Sequence, residues 1–401
     1  MSSTRPAKGE LPIAIVLGGD VNGLGQVRAL GRAGIPVVVV CTDLAEPAAH
    51  SRYATAVTVA KGEDYDSRLV DALRSIAAGS PALPPLFASS DAYVEFIARN
   101  RRDLAEVCAF NVVDDATLQE ITDKVGSHDL AQRCGLKVPR LVPLPRFAEN
   151  PSLASSFSFP ALVKPRDSYT VEFPWKNKVV AGPEELARLF RGSPQLVPHA
   201  LLQEIIAGPE DGIFQCNVYI GRHVSTQVCT VQKIRQQPVD FGTMSFGRTR
   251  WMPDLVTDTL RLLNSVQYTG FASVEYKKNP HDGRYYLVEI NPRLPWYNSL
   301  FTACGINFPL IYFQDVTGQG AEIGPIRQRD SVYWLHLRNE LRGAWERKKR
   351  GQWSHAFRGL VSIRRARAFG LFSLGDLRPF FVGYGNYFRE YFGAGARSKR
   401  A

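Results

Sequence analysis

The chain has 401 residues, 45% hydrophobic and 22% charged, which fits two or three globular domains and excludes disorder, collagen and a disulfide miniprotein. Its six cysteines form no CxxC pair, its seven histidines never fall at HxxxH spacing, and no apolar run or N-terminal leader pattern points to a membrane span or secretion, so a reducing, cytoplasmic setting is expected. The net charge is +11, yet residues 334–401 hold 15 Lys and Arg against 4 acids, leaving 34 of each sign in residues 1–333; the excess cation is confined to the C-terminal sixth.

Residues 13–17 form a short apolar run ending in a Gly-rich turn (residues 18–25), followed by a predicted helix over 26–33 and a buried strand over 35–41. This is a βαβ opening of a parallel sheet. Arg28 stands where a dinucleotide fingerprint needs glycine, and no Gly-Lys-Ser/Thr follows. The glycines therefore either make a tight turn only or present N–H groups to a small anionic substrate. Strands over 55–59 and 85–88, helices over 65–77 and 91–102, and a strand near 110–113 complete a small doubly wound domain, residues 1–115. A helical stretch over 115–134, a Pro- and Ser-rich linker over 139–160 and a helix over 183–191 follow.

The most informative segment is residues 270–294, GFASVEYKKNPHDGRYYLVEINPRL. Two β-type runs, 271–276 and 285–291, flank a turn-forming connection and predict an antiparallel hairpin. Alternation places Tyr285, Leu287, Glu289 and Asn291 on one face, with Arg293 following. Glu275, Glu289 and Asn291 form an all-oxygen set suited to Mg²⁺, and Arg293 is placed to meet a phosphate. The bland alternative is an edge hairpin with ordinary surface acids.

An acid in a strand, a turn and Glu-Ile-Asn-Pro-Arg resemble the metal-binding signature of the ATP-grasp superfamily, and further pieces occur upstream in the expected order. Residues 122–124 with Ala131, Gly135, Val138 and Pro139 resemble its entry segment, which implies that Lys124 contacts ATP phosphates. FPALVKP (159–165) resembles the strand whose lysine, here Lys164, reaches the α-phosphate. LLQEIIAGPE (201–210) resembles the hinge, which implies adenine recognition by the backbone of Glu204 and Ile206 beside Gln203, and ribose binding by Glu210. RALGRAGIPVVVV, SSDAYVEFIARNRRDL and VQKIRQQPVDFGT resemble the D-aspartate-ligase-like carboligases in particular. One departure is the loop 167–178, which has no glycine where many relatives close a glycine-rich lid; Arg166, Lys176 and Lys178 are its cations, and Trp175 is either a packing anchor or a cover.

The resemblance implies an α/β ATP-grasp fold: an N-terminal doubly wound domain (1–115), an ATP-grasp lid subdomain (116–200), a second subdomain with the metal site (201–330) and a basic, aromatic-rich C-terminal region (331–401). It implies ATP and two Mg²⁺ ions, with Mn²⁺ as a substitute, and a carboxylate–amine ligase acting through an acyl phosphate on small-molecule substrates, an amino acid among them. Arg293 would stabilise the tetrahedral intermediate, while Lys233 and Arg235 would hold the γ-phosphate or the carboxylate, or else form a solvated strand face. A biotin- or purine-type carboxylase and a non-catalytic nucleotide-binding protein are the alternatives. The C-terminal region is either a subdomain packed on the core or a surface for an anionic membrane or cell-envelope precursor, which would place the protein at the inner membrane surface; no nucleic-acid motif accompanies its charge.

Overall fold

The computed structural model describes residues 11–150, 153, 157–166, 173–175, 177–320 and 323–397. The N-terminal unit runs β1 (Ala14–Leu17), α1 (Val21–Arg32), β2 (Val37–Cys41), β3 (Thr55–Thr58), α2 (Tyr65–Ala78), β4 (Leu86–Ala88), α3 (Asp91–Arg99) and α4 (Arg101–Ala105). Its sheet is parallel in the order β3-β2-β1-β4, as expected for buried apolar strands joined by helical crossovers. The strand expected near residues 110–113 is absent; only the bridge between Pro85 and Ala109 forms. Asn111 is drawn elsewhere, its amides bonding Tyr312 Oη, Tyr219 Oη and the Ile220 carbonyl.

The predicted helix over 115–134 is two helices, α5 (Asp115–Thr122) and α6 (Lys124–Arg133). The break falls at Asp123, which caps α6 by accepting from Gly126 N at 3.0 Å. The expected linker contains β5 (Leu141–Pro143) and α7 (Leu144–Glu149), then come β6 (Ala161–Pro165), β7 (Lys178–Val180), α8 (Pro183–Gly192) and β8 (Ala200–Glu204). These strands form an antiparallel sheet ordered β5-β8-β6-β7. Pro143 survives as a strand residue because β5 is an edge.

The remaining elements are β9 (Ile213–Ile220), β10 (Gln227–Gln237), β11 (Thr243–Thr249), α9 (Pro253–Ser265), β12 (Gly270–Lys278), β13 (Tyr285–Asn291), α10 (Ser299–Cys304), α11 (Phe308–Val316), β14 (Tyr333–Leu335), α12 (Leu337–Lys349), α13 (Trp353–Ser362), β15 (Ala366–Phe369) and α14 (Arg378–Arg397). Seven strands form the large sheet, ordered β13-β12-β9-β10-β11-β14-β15. One continuous core joins it to the N-terminal unit: Val16, Leu24 and Val39 pack with Phe301, Phe308, Phe313 and Trp334. Asn22 closes the same junction by donating to the Ser89 and Leu294 carbonyls, both at 2.7 Å. Gly25 makes that approach possible, since a Cβ there would lie 2.0 Å from Asn298 Oδ1.

The C-terminal region is built into this body. β14 and β15 extend the large sheet, and Trp334 is fully buried. Arg28 is buried in an ion pair with Asp376 at 2.9 Å and also donates to the Leu371 carbonyl. No described helix is long and apolar enough to cross a membrane, and all six cysteines are free thiols.

Candidate active site

A cavity of about 740 Å³ lies between the small sheet and the large one, within the size range of small-molecule sites. On one wall are Lys124 at the start of α6, Lys164 at the end of β6, and Gln203, Glu204, Ile206 and Glu210 on β8 and the segment after it. On the other are Lys233 from β10, Glu275 and Lys277 from β12, Glu289 and Asn291 from β13, and Arg293. Residues spread over 170 positions of sequence thus face one space. Arg235 does not line it.

The metal-binding face departs from simple alternation. Glu275 pairs with Glu289 across the strands, but Tyr276 pairs with Leu287, so Val288 is the extra residue of a bulge. Leu287 is therefore fully buried in the core with Tyr285 packed beside it, whereas Val288, Glu289 and Asn291 line the cavity. The expected shared face of Tyr285, Leu287, Glu289 and Asn291 is corrected accordingly: the bulge splits it and keeps the polar half on the cavity.

Two carboxylates directly opposite each other repel, and the arrangement calls for a cation. Lys233, buried, partly supplies it: its Nζ lies 3.1 Å from Glu275 Oε2, which also accepts from Gln215 Nε2 at 2.8 Å. Gln215 Oε1 is buried without a hydrogen-bond partner, a further oxygen beside the pair. No group of three or more His, Cys, Asp or Glu placed to hold a metal ion occurs among the described residues; two carboxylates and one carboxamide suit Mg²⁺ that completes its shell with phosphate and water oxygens. These residues fit the metal.

The opposite wall has features suited to a nucleotide. Leu162, Ile205, Ile206, Met244 and Val288 give the cavity an apolar slot, and the buried Gln203 Oε1 has no hydrogen-bond partner, an acceptor suited to an exocyclic amine. Glu204 is the last residue of β8, its N–H donating to the Arg140 carbonyl at 2.8 Å, so the hinge leaves the sheet there. Lys124 Nζ donates to the Arg166 carbonyl at 3.2 Å, and Arg166 itself pairs with Asp123 at 2.9 Å. Burial of Lys277 beside Lys233 lowers its pKa, while its Nζ donates to the Gly208 carbonyl at 3.1 Å.

Glu210 is held in a way the sequence did not disclose. Arg347 of α12, itself buried, forms an ion pair with it, and Gln236 N donates to its Oε1 at 2.7 Å. Burial raises the Glu210 pKa, and Arg347 opposes that rise. Two other expectations shift. Arg235 lies over the Phe246 ring at 4.4 Å and pairs with Glu340 of α12, which fixes it as a tie between sheet and helix rather than a cavity cation. Arg293 lines the cavity while donating to Asp91 Oδ2 at 2.7 Å, linking the hairpin to the N-terminus of α3.

One N–H of the glycine-rich turn meets a carboxylate of the chain itself. Gly19 N donates to Glu46 Oε2 at 2.5 Å, and Glu46 Oε1 accepts from Thr42 N at 2.7 Å. Within the glycine-free loop, Asp167 and Lys176 lie outside the described residues, Lys178 is exposed at the start of β7, and Trp175 packs against Phe173 at 5.2 Å. Lys277, Gln215 and Arg347 were missed by sequence reasoning. Lys277 was discoverable, two residues along the same strand face from Glu275; Arg347 was not.

The ATP-binding domain family of the carbamoyl-phosphate synthase L chain matches residues 223–324, the span that carries Lys233, Glu275, Glu289 and Asn291. A D-aspartate ligase from Enterococcus faecium (strain Aus0004) is 25% identical over 325 residues, covering 76% of each chain. Both matches make the chain similar to ATP-grasp enzymes. Its fold is similar to that of an ADP complex of N5-carboxyaminoimidazole ribonucleotide synthetase (TM-score 0.63, 14% identity, 84% of this chain and 85% of that one). It is also similar to an L-amino acid ligase from Bacillus licheniformis (TM-score 0.60, 15% identity, 80% of this chain and 78% of that one). The biotin carboxylase domain of a 2-oxoglutarate carboxylase from Hydrogenobacter thermophilus, solved with MgADP and bicarbonate, has TM-score 0.63 at 14% identity, covering 80% of this chain and 73% of that one.

Proposed function

We propose that this chain is an ATP-grasp carboxylate–amine ligase that activates a small carboxylic acid as an acyl phosphate and joins it to an amine, one of the two substrates being an amino acid. The observation that carries the reading is the placement of Glu275, Glu289 and Asn291 across one cavity from Lys124 and Lys164. The likeness to the D-aspartate ligase over three quarters of the chain supports the amino acid.

Each residue has a task that follows from its setting. Gln203 and the hinge at Glu204 and Ile206 would orient the adenine, and Glu210 the ribose hydroxyls. Lys124 and Lys164 would hold the phosphate chain. Glu275, Glu289 and Asn291 would hold Mg²⁺, which when bound neutralises phosphate charge and aligns the γ-phosphorus for in-line attack. Lys233, shared with Glu275, would steer the acid substrate's carboxylate toward that phosphorus. Arg293 would stabilise the oxyanion formed when the amine adds, its guanidinium held in place by Asp91. None of the six cysteines lines the cavity, and the Ser273 hydroxyl is engaged with Asn217 Oδ1 at 2.8 Å, in keeping with attack by the substrate carboxylate itself.

This reading includes a cytoplasmic site of action, peripheral to an anionic surface. The test is phosphate release from ATP and Mg²⁺ against L- and D-amino acids taken pairwise, with hydroxylamine present to trap the acyl phosphate as a hydroxamate. Amino-acid-dependent release with a hydroxamate product is expected. Release that requires bicarbonate and no amino acid would move the protein to the carboxylases.

A further inference from the structure

The C-terminal region divides its aromatic residues unequally. Trp334 is buried in the sheet, whereas Trp345, Trp353 and Phe357 of α12 and α13 are 56%, 62% and 68% exposed. Leu341 and Trp345 are four apart on α12; Trp353, Phe357 and Val361 are spaced by four on α13. Each set therefore forms one stripe along its helix. The stripes lie side by side, because Lys348 Nζ sits over both the Trp345 ring at 5.4 Å and the Trp353 ring at 4.9 Å. A large exposed apolar surface of this kind marks an interaction site.

The opposite faces of the two helices are committed to the core. Glu340 meets Arg235 and Ser245, Arg347 meets Glu210, and Gly359 is buried where a Cβ would lie 2.8 Å from Glu340 Oε1. The second acid of α12, Glu346, pairs with Arg350. On the outer side Arg342, Lys348, Lys349, Arg358, Arg364 and Arg365 are exposed and form no ion pair among the described residues. The surface is thus cationic and aromatic, with its carboxylates engaged elsewhere.

We propose that the α12–α13 hairpin docks on an anionic lipid bilayer, with Trp345 and Trp353 at headgroup depth, Phe357 at the acyl boundary and the surrounding lysines and arginines on lipid phosphates. Amphipathic indole rings favour that interface, an apolar phenyl ring beside them buries at the acyl boundary, and neighbouring cations add attraction to anionic headgroups that salt screens. A second copy of the chain would bring like charges together, and nucleic acid has no use for the aliphatic Leu341 and Val361. The choice of a lipid surface rests on the peripheral placement proposed above. Vesicle binding and ligase turnover are separate readouts, so either reading can fail alone.

The test uses the full chain with vesicles of phosphatidylcholine alone or with about 30% phosphatidylglycerol, at about 0.1 M and about 0.5 M salt. Binding to the anionic vesicles only, with a blue shift of tryptophan emission and at least tenfold weakening at high salt, is expected. Two variants, Trp353→Ala with Phe357→Ala, and Lys348→Gln with Lys349→Gln and Arg358→Gln, should each lose at least tenfold in vesicle binding. Arg347, Arg350 and Glu340 are left intact, and an unchanged thermal shift with MgATP shows that each variant is folded. Failure to bind anionic vesicles at low salt, equal binding to neutral ones, or binding that survives both variants would overturn the proposal. So would a dimer that Trp353→Ala with Phe357→Ala dissociates, or patch-dependent binding of RNA in place of vesicles.

Discussion

Arg347 and Glu210, 137 residues apart in sequence, meet in an ion pair that ties helix α12 to the wall of the cavity. Arg347 thereby opposes the rise that burial gives the pKa of the carboxylate proposed to hold the ribose. The same helix braces the loop after β10, through Glu346 to Gln237 Nε2 at 3.3 Å and Arg350 to Asp240 at 2.8 Å.

Removing this support should cost both stability and nucleotide affinity. Arg347→Met leaves Glu210 buried without its cation, a loss of about 3–5 kcal/mol for such pairs. Glu210, already raised by burial, would then bind a proton more readily, so the variant should lose stability as pH rises through its higher folded-state pKa. The KM for ATP should rise about tenfold or more, with kcat less affected. An unchanged KM in a folded variant would detach Glu210 from the ribose.

At the metal face, Glu289→Gln preserves shape and removes a charge that would hold Mg²⁺. Amide formation should fall by several orders of magnitude while the thermal transition in the absence of nucleotide stays within a few degrees. Near-normal turnover would exclude this hairpin as the reaction centre.

Lys233 and Arg235, two residues apart on one strand, should behave differently. Lys233→Met should reduce kcat by about a hundredfold or more, since Lys233 lines the cavity with its ammonium 3.1 Å from Glu275. Arg235→Met strands the buried Glu340 and should lower the melting temperature, with kcat within about threefold of the parent. Equal losses of kcat would contradict the separation.

Two buried histidines set an acid limit. Burial lowers both His128 and His336 to about 4, against about 6.5 unfolded. Their neutral forms are favoured in the fold, so their contribution is complete above about pH 6.5 and is lost as pH falls toward 4, up to about 3 kcal/mol each. His336 Nδ1 accepts from Asn339 N at 3.3 Å, capping α12 as a neutral ring. His336→Asn retains a cap and should flatten the fall in melting temperature between pH 6.5 and 4.5. An identical slope would remove His336 from the account.

The burial of Arg347 also changes how the basic tail must be probed. Neutralising residues 347–350 together would remove the supports of Glu210 and Asp240 along with surface charge. Activity and membrane binding would then fall for unrelated reasons, whereas Lys348, Lys349 and Arg358 are free of that coupling.

What the sequence determined by itself is what neighbours along the chain dictate. The βαβ opening follows from apolar runs broken by glycine, the hairpin from two β-type runs around Asn-Pro-His-Asp-Gly, and the acids within it from the improbability of burying carboxylates without a cation. The places of Lys124, Lys164 and Glu210 ahead of Glu275 and Glu289 were legible only through the resemblance to ATP-grasp enzymes, since each of the three taken singly reads as an ordinary surface residue. Tertiary structure alone decided the rest. Strict alternation cannot anticipate the bulge at Val288, since the register depends on the partner strand. Nor can local pattern distinguish Lys233, facing Glu275, from Arg235, turned to Glu340; both are cations on one strand until α12 packs against it. The cations of the tail look alike in sequence, and only packing sends Arg347 inward to a carboxylate and leaves Lys348 and Lys349 on aromatic rings in solvent. Burial makes a partner obligatory for a charge, and burial is a property of the folded chain.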